Sequence, residues 1–136
     1  LGVEPYLVSS SLIAIIAQRL VRRVCQDCKE PARPTANELK ELGISETDGS
    51  DGEFFIGTGC EKCFQTGYRG RTGIYELMLI NEDIQNLIYN RESAGKIKKT
   101  ALDAGLQTLR MDGARKVLSG ITTVSEVLRV TQSDIV

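Results

Sequence analysis

The sequence contains no histidine and no tryptophan, and aromatic residues make up only 5% of it. Without histidine, the chain has no Ser-His-Asp or Cys-His catalytic set, no HExxH zinc-protease motif and no mixed Cys/His metal site. The scarcity of aromatic rings argues against a stacking platform for single-stranded nucleic acid. Composition therefore excludes many hydrolytic and metal-dependent chemistries.

Charges of the two signs are nearly balanced, since 17 Lys and Arg residues face 18 Asp and Glu residues for a formal net charge of -1. No global basic field attracts nucleic acid, so we expect no nucleic-acid partner. The longest apolar run, residues 12–21, is interrupted by Gln18 and Arg19 and is shorter than the roughly 20 residues of a membrane span. We expect an intracellular chain, and its start at Leu1 within an apolar pattern suggests a piece of a longer protein.

The first segment is predicted to be a helix. Three serines at 9–11 offer N-cap hydroxyls, and the apolar residues that follow recur at helical spacing. These residues are Leu12, Ile16 and Leu20. The helix should run to about Val24 and end before the prolines of segment 25–34.

The middle of the chain is predicted to hold short elements. Thr35 and Glu38 form a capping box for a short helix that ends at Gly43, and an exposed acidic loop should follow over 45–52. Two strands are predicted, over 53–56 and 72–80, with a glycine-rich turn region over 57–68 between them.

From Glu82 onward the apolar spacing becomes helical and predicts three helices before Gly120. A last helix should begin at Thr122 or Thr123, with Glu126 placed to close a capping box on Thr123. The fold class is therefore α+β and mainly helical, with a small β element. Three regions are expected: a terminal helix at 1–24, a cysteine-bearing subdomain at 25–72 and a helical subdomain at 73–136.

The four cysteines form two CxxC pairs, Cys25 with Cys28 and Cys60 with Cys63, separated by 31 residues. Two residues between cysteines allow a turn that directs both thiolates at one ion, and two such turns complete a tetrahedral sulfur shell that suits zinc. The gap exceeds the roughly 15–20 residues common in zinc ribbons. A closed shell leaves no position for water or substrate, so the predicted zinc has a structural role.

Other uses of the same cysteines remain open. Two disulfides would require an oxidising compartment, and an iron–sulfur cluster also takes four thiolates. A thioredoxin-like site normally has one CxxC at the start of a helix. The charge of a zinc tetrathiolate favours nearby cations, and four are available in sequence. They are Lys29, Lys62, Arg69 and Arg71.

Two further segments bear on phosphate binding. The stretch 67–73 sets Arg69 and Arg71 among three glycines, which lets a guanidinium approach a phosphate or carboxylate, although a plain basic turn has the same composition. Gly95 and Lys96 do not form a Walker A motif, because the required upstream glycine and following Ser or Thr are missing. The chain should therefore not hydrolyse nucleotide by itself.

Three stretches resemble the ATPases of bacterial type II secretion, the general secretion pathway protein E family, and the related type IV pilus extension ATPases. They are VEPYLVSSSL with AQRLVRR in 3–23, GCEKCFQTGYRGRTGIYEL at 59–77 and GITTVSEVLRV at 120–130. The serine-rich sequence of the first stretch looks closer to the secretion branch, and pilus assembly is the alternative. The resemblance covers essentially the whole chain.

This resemblance implies the C-terminal part of a RecA-like motor with a zinc-binding tetracysteine insertion. The parent would be a cytoplasmic homo-hexamer, peripheral to the inner membrane on secretion platform proteins, that hydrolyses ATP with Mg²⁺. Walker motifs would lie outside this segment, so no catalytic residue is assigned here. Arg71 carries over as a nucleotide-proximal residue, and Gln18 and Arg19 are weaker candidates.

A rival interpretation is an independent zinc-ribbon module that binds nucleic acid or protein. Its contacts would come from Arg69, Arg71 and the segment 19–23. The net charge of -1 argues against the nucleic-acid version.

Overall fold

A computed structural model describes residues 2–131 as an α+β fold, which confirms that part of the predicted class. The helices are α1 (Pro5–Ser11), α2 (Ala36–Glu41), α3 (Glu46–Asp51), α4 (Glu82–Tyr89), α5 (Ala94–Asp103), α6 (Leu109–Leu118) and α7 (Val124–Val130). The strands are β1 (Ala14–Val24), β2 (Lys29–Pro31), β3 (Phe55–Gly57) and β4 (Tyr68–Leu79), and a 3₁₀ turn covers Glu61–Cys63.

The predicted helix over 12–24 is wrong, because residues 14–24 form strand β1. Residues four apart share one side of a helix, but they also share one face of a strand, so the spacing of Ile16 and Leu20 fits both structures. Pairing with the long strand β4 decides between them. The serines at 9–11 instead end α1, where the Ser10 hydroxyl donates to the Tyr6 carbonyl at 2.7 Å.

Strands β1 and β4 form an antiparallel hairpin-like pair whose two faces differ in burial. On one face, Val21 and Ile74 are fully buried in the main apolar core with residues of α2, α6 and α7. The other face is apolar but exposed, and it carries Ile16, Leu20, Tyr75, Leu77 and Leu79. The buried face of this strand pair therefore packs against the helices of the main core, and its other face is left exposed.

Helices α4 and α5 form a second, smaller core. Ile84, Ala101 and Leu106 are buried there, and Met78 at the end of β4 is packed against them. Both helices have side-chain N-caps, from Asn81 and Ser93. This helix pair buries apolar surface of its own, separate from the main core.

The middle of the chain is more regular than predicted. The capping box of Thr35 and Glu38 is confirmed at the start of α2. The loop expected over 45–52 is wrong, because helix α3 forms there with Ser45 as N-cap. Glu46 and Asp48 lie in its first turn, where negative charge is favoured by the helix dipole.

Strand β3 is shifted slightly from the predicted 53–56 and pairs with β2. Strand β4 begins four residues earlier than predicted because it continues to pair with β1 up to Val24 and Tyr68. The three helices predicted before Gly120 are confirmed as α4, α5 and α6. Within 2–131, no helix has both the length and the apolar character that a bilayer span requires.

The last helix begins at Thr123, whose hydroxyl accepts a hydrogen bond from the Glu126 backbone amide at 3.3 Å. The predicted return bond from the Glu126 side chain is not made. That carboxylate contacts Arg22 on β1 and Arg129 instead. Two charge-assisted contacts are stronger than one bond to a backbone amide, which explains the difference.

Candidate metal centre

The four cysteine sulfurs meet at one end of the β1–β4 pair. Cys25 directly follows β1, and Cys28 precedes β2. Cys60 precedes the 3₁₀ turn before β4, and Cys63 is the last residue of that turn. Antiparallel pairing sets the end of β1 beside the start of β4, with Val24 opposite Tyr68. Two CxxC turns that are 31 residues apart in sequence therefore become neighbours. We call these turns, Cys25–Cys28 and Cys60–Cys63, the cysteine knuckles.

The spacing of the sulfurs matches a tetrahedral site. All four Sγ atoms lie within 4.8 Å of one another. Cys25 and Cys60 are 3.8 Å apart, as are Cys28 and Cys63, and Cys60 lies 3.7 Å from Cys63. Four sulfurs about 2.3 Å from a central zinc would be about 3.8 Å from each other. None of the four cysteines is in a disulfide.

Backbone amides point at the sulfurs. Gly59 donates to Cys28 Sγ at 3.3 Å, and Cys63 Sγ accepts from Cys60 at 3.2 Å and from Gly67 at 3.3 Å. Burial raises the pKa of Cys63, but the amide donors outweigh it and lower that pKa to about 6. Burial raises the pKa of Cys28 to about 11 against its single amide donor. A bound cation would favour the thiolate forms of Cys28 and Cys63.

Glycine is required on both sides of the second knuckle, where Gly57 and Gly67 lie against each other. A Cβ at Gly57 would lie 2.0 Å from the Gly67 carbonyl oxygen, and Gly67 has a φ of +81°. Both positions therefore exclude other residues. Phe64 and Gln65 also have positive φ, at 55° and 63°, and the Phe64 ring is 87% exposed. The knuckle thus holds a bulky residue in a conformation that glycine favours.

Two of the four cations expected around the sulfurs pair with a carboxylate of the first knuckle. Lys62 and Arg69 each lie 3.5 Å from an oxygen of Asp27, so one carboxylate joins the two knuckles. Lys29 lies over the Phe55 ring at 4.6 Å. Arg71 stands further along β4, opposite Arg22. These ion pairs are partly exposed and contribute little energy.

Arg71 lines an open cleft with Leu20, Arg22 and Arg129, which we call the arginine cleft. The other nucleotide candidates, Gln18 and Arg19, do not line it. Gln18 contacts the Tyr75 hydroxyl at 3.4 Å, and Arg19 donates to the Gln18 carbonyl at 2.8 Å.

Sequence reasoning missed Arg129 and treated Glu126 as a cap. A pair of complementary charges three residues apart at 126 and 129 was the available signal. That spacing is common on solvated helices, so it did not indicate a cleft.

Comparison with known proteins finds relatives along almost the whole chain. A family profile described as "Type II/IV secretion system protein" matches residues 1–129. The chain is 45% identical over 131 residues to the type IV pilus assembly ATPase PilB of Thermus thermophilus, covering 96% of this chain and 15% of that protein. It is also 45% identical over 134 residues to type II secretion system protein E of Pseudomonas aeruginosa, covering 98% and 26% respectively.

A third relative, the type IV pilus assembly ATPase PilB of Myxococcus xanthus, is 39% identical over 135 residues, which cover 98% of this chain and 24% of that protein. The chain thus spans between 15% and 26% of the length of these three relatives. The resemblance found in the sequence is confirmed, and the chain belongs to the type II/IV secretion system protein family.

Proposed function

We propose that the cysteine knuckles hold one structural zinc ion within a secretion ATPase. The observation that carries this proposal is the clustering of the four sulfurs. All lie within 4.8 Å of one another, and three of the six pairs are 3.7–3.8 Å apart, which is the separation in a tetrahedral zinc tetrathiolate. The amide donors to Cys28 and Cys63 support it, because such bonds favour thiolates. When bound, zinc supplies cross-linking of the two knuckles and no open coordination position.

The site acts as a clamp between distant parts of the chain. It ties the residue after β1 to the turn before β4, and the Val24 amide beside it donates to the Ile121 carbonyl at 2.9 Å. The clamp therefore supports the junction between the β1–β4 pair and the segment that leads into α7. A structural role in positioning this junction follows from those contacts.

The parent protein is proposed to hydrolyse ATP with Mg²⁺ as a RecA-like homo-hexamer. It would work in the cytoplasm, peripheral to the inner membrane, together with secretion platform proteins and without nucleic acid. Support comes from the family match and from relatives named type IV pilus assembly ATPase and type II secretion system protein E. Type II secretion is the proposed branch, on the serine-rich stretch near the start of the chain. Pilus assembly is the alternative, because relatives of both kinds are 45% identical to this chain.

Within that parent, Arg71 is proposed to lie near bound nucleotide, while this segment itself contributes no catalytic residue. Gln18 and Arg19 are weaker candidates because they lie outside the arginine cleft. An independent zinc-ribbon binding module is less well supported, since the family match extends over residues 1–129 and not over the knuckles alone.

Elemental analysis of reduced, tag-free protein tests the zinc proposal. We expect one zinc per chain and four thiols that become reactive together when the metal is chelated. Cys60→Ser should lose the zinc, whereas Ser50→Ala, an exposed hydroxyl change, should keep it. Iron in place of zinc would assign a cluster, and metal-free protein with disulfides would refute the site.

A further inference from the structure

The arginine cleft has three positively charged side chains and only one carboxylate in contact with them among the described residues. It has a volume of about 520 Å³ and is lined by Leu20, Arg22, Arg71 and Arg129. Three guanidinium groups thus converge from β1, β4 and α7. One carboxylate, Glu126, contacts the group, which leaves an excess of two positive charges.

Glu126 holds two of these arginines from below the surface. Its side chain is 2% exposed, and its Oε1 accepts from Arg22 Nη2 at 2.7 Å and Nε at 3.0 Å. Arg129 Nη2 donates to Glu126 Oε2 at 3.0 Å, and the Arg22 backbone amide donates to the same oxygen at 2.9 Å. Both arginines are therefore fixed in orientation although about half of each side chain remains exposed.

Further contacts limit the motion of Arg22. Its guanidinium lies 4.3 Å from the centre of the Tyr68 ring, and the Tyr68 hydroxyl is 2.8 Å from that of Thr123 at the start of α7. The Thr122 hydroxyl donates to the Arg22 carbonyl at 2.8 Å. The Arg22 guanidinium is thus held by the Tyr68 ring and by the Glu126 carboxylate, and its backbone carbonyl is held by Thr122, without any ligand.

Arg71 is the third arginine of the cleft. It stands directly opposite Arg22 in the strand register. Among residues 2–131, no acceptor or carboxylate binds its guanidinium, unlike those of Arg22 and Arg129. Two arginines side by side repel each other, so an uncompensated pair of this kind is stabilised by an anion.

We propose that Arg22, Arg71 and Arg129 together bind the phosphate chain of a nucleotide, with Glu126 as the positioning residue. This inference rests on the proposed nucleotide role of Arg71 and extends it to a site built from β1, β4 and α7. Planar guanidinium groups bind phosphate oxygens in pairs, and a polyphosphate matches the excess of two positive charges better than a single carboxylate does. Leu20 leaves one wall of the cleft apolar.

Calorimetric titration of the zinc-loaded chain in about 0.15 M salt tests this site, with inorganic pyrophosphate, orthophosphate, ATP and adenosine as probes. We expect pyrophosphate and ATP to bind, orthophosphate to bind more weakly and adenosine not to bind. Arg71→Ala and Arg129→Gln should each weaken pyrophosphate binding about tenfold or more, because each removes charge-assisted hydrogen bonds.

Arg23→Ala is the matched control. Arg23 is an exposed arginine next to Arg22 on β1, but it does not line the cleft. It should change the affinity by no more than about twofold, because it donates no hydrogen bond into the cleft and its exposed charge is screened at this salt concentration. Equal losses for Arg23→Ala and Arg71→Ala would reduce the effect to overall charge and overturn the proposal. Absence of pyrophosphate binding to the wild-type chain would overturn it as well.

Glu126→Gln separates positioning from simple charge. Removing a negative charge should strengthen anion binding if only the local field matters. If Glu126 orients the arginines, the variant should bind pyrophosphate more weakly, and its arginine Nε–H resonances should broaden in NMR spectra. Stronger binding with unchanged resonances would refute the positioning role.

Zinc content is measured on the same samples. A failure of the anion-binding proposal can therefore be told apart from a failure of the zinc proposal. The intact ATPase provides the link to nucleotide. A slower ATPase in Arg71→Ala with normal turnover in Arg129→Gln would preserve the role of Arg71 and refute the shared cleft. Pyrophosphate binding with ATP bound more than about tenfold less tightly would reject a nucleotide as the ligand.

Discussion

The cysteine knuckles and the α4–α5 helix pair are stabilised by different forces. In the knuckles four sulfurs form the centre and amides point at them, and the neighbouring Phe64 ring is exposed. In the helix pair, Ile84, Ala101 and Leu106 are buried against each other with no shared polar centre. The proposed zinc would hold the first region together, while the second depends on apolar burial.

Metal removal is expected to have the largest effect and to separate the two regions most clearly. Structural zinc contributes apparent binding energies of about 10 kcal/mol or more in small metal modules. After chelation, hydrogen exchange should speed up over residues 25–31 and 57–68 and remain unchanged over α4 and α5. A cooperative melt identical with and without metal would contradict this division.

Ile84→Ala should produce the reverse pattern. Ile84 is 1% exposed, so the substitution leaves a cavity in the small core and should cost about 3 kcal/mol. Exchange should speed up over α4 and α5, and zinc content should stay at one per chain. Ile13→Ala is the control, since Ile13 is 81% exposed and its loss should change the free energy of unfolding by less than about 0.5 kcal/mol. Zinc loss in Ile84→Ala would show that the regions are coupled.

Acid should affect the junction between α7 and β1 before the helix pair. Burial raises the pKa of Glu126, but its bonds to Arg22 and Arg129 outweigh burial and lower that pKa from 4.5 to about 2. Because the folded-state pKa is depressed, the stabilisation is complete above about pH 4.5 and is lost as the pH falls towards 2. It should amount to about 2–3 kcal/mol.

The measurement is the free energy of unfolding against pH for the wild type and for Glu126→Gln, which does not titrate at that position. The difference between the two proteins should shrink as the pH falls from 4.5 towards 2. Zinc release in acid occurs in both proteins and does not contribute to the difference. A constant difference across that range would contradict the assignment.

Phe64→Gly should give the smallest effect and the opposite sign. Phe64 has a φ of 55°, a conformation that costs a non-glycine residue about 1 kcal/mol, and its exposed ring contributes little burial. The variant should be more stable by up to about 0.5 kcal/mol once the greater chain entropy of glycine is subtracted. Thermal unfolding of the zinc-loaded protein measures this, with Phe54→Gly, a buried phenylalanine, as a destabilised control.

Sequence patterns predicted some of the secondary-structure elements and missed others. Helices α4, α5 and α6 were found because their apolar positions repeat over several turns, and α2 was found from its capping box. The strand β1 was mistaken for a helix because spacing of four residues suits both structures. Helix α3 was missed because its sequence is short, acidic and nearly free of apolar residues.

What the sequence determined by itself was the chemistry that depends on neighbours along the chain. Each pair of cysteines is separated by two residues, and each capping partner by three, so spacing alone indicates what they can form. Tertiary structure decided which pairs meet. Arg22 and Glu126 are 104 residues apart in sequence, and their contact arises because β1 pairs with β4 and α7 lies against β1. Sequence spacing carries no information about such contacts, because they depend on how the elements are arranged in space.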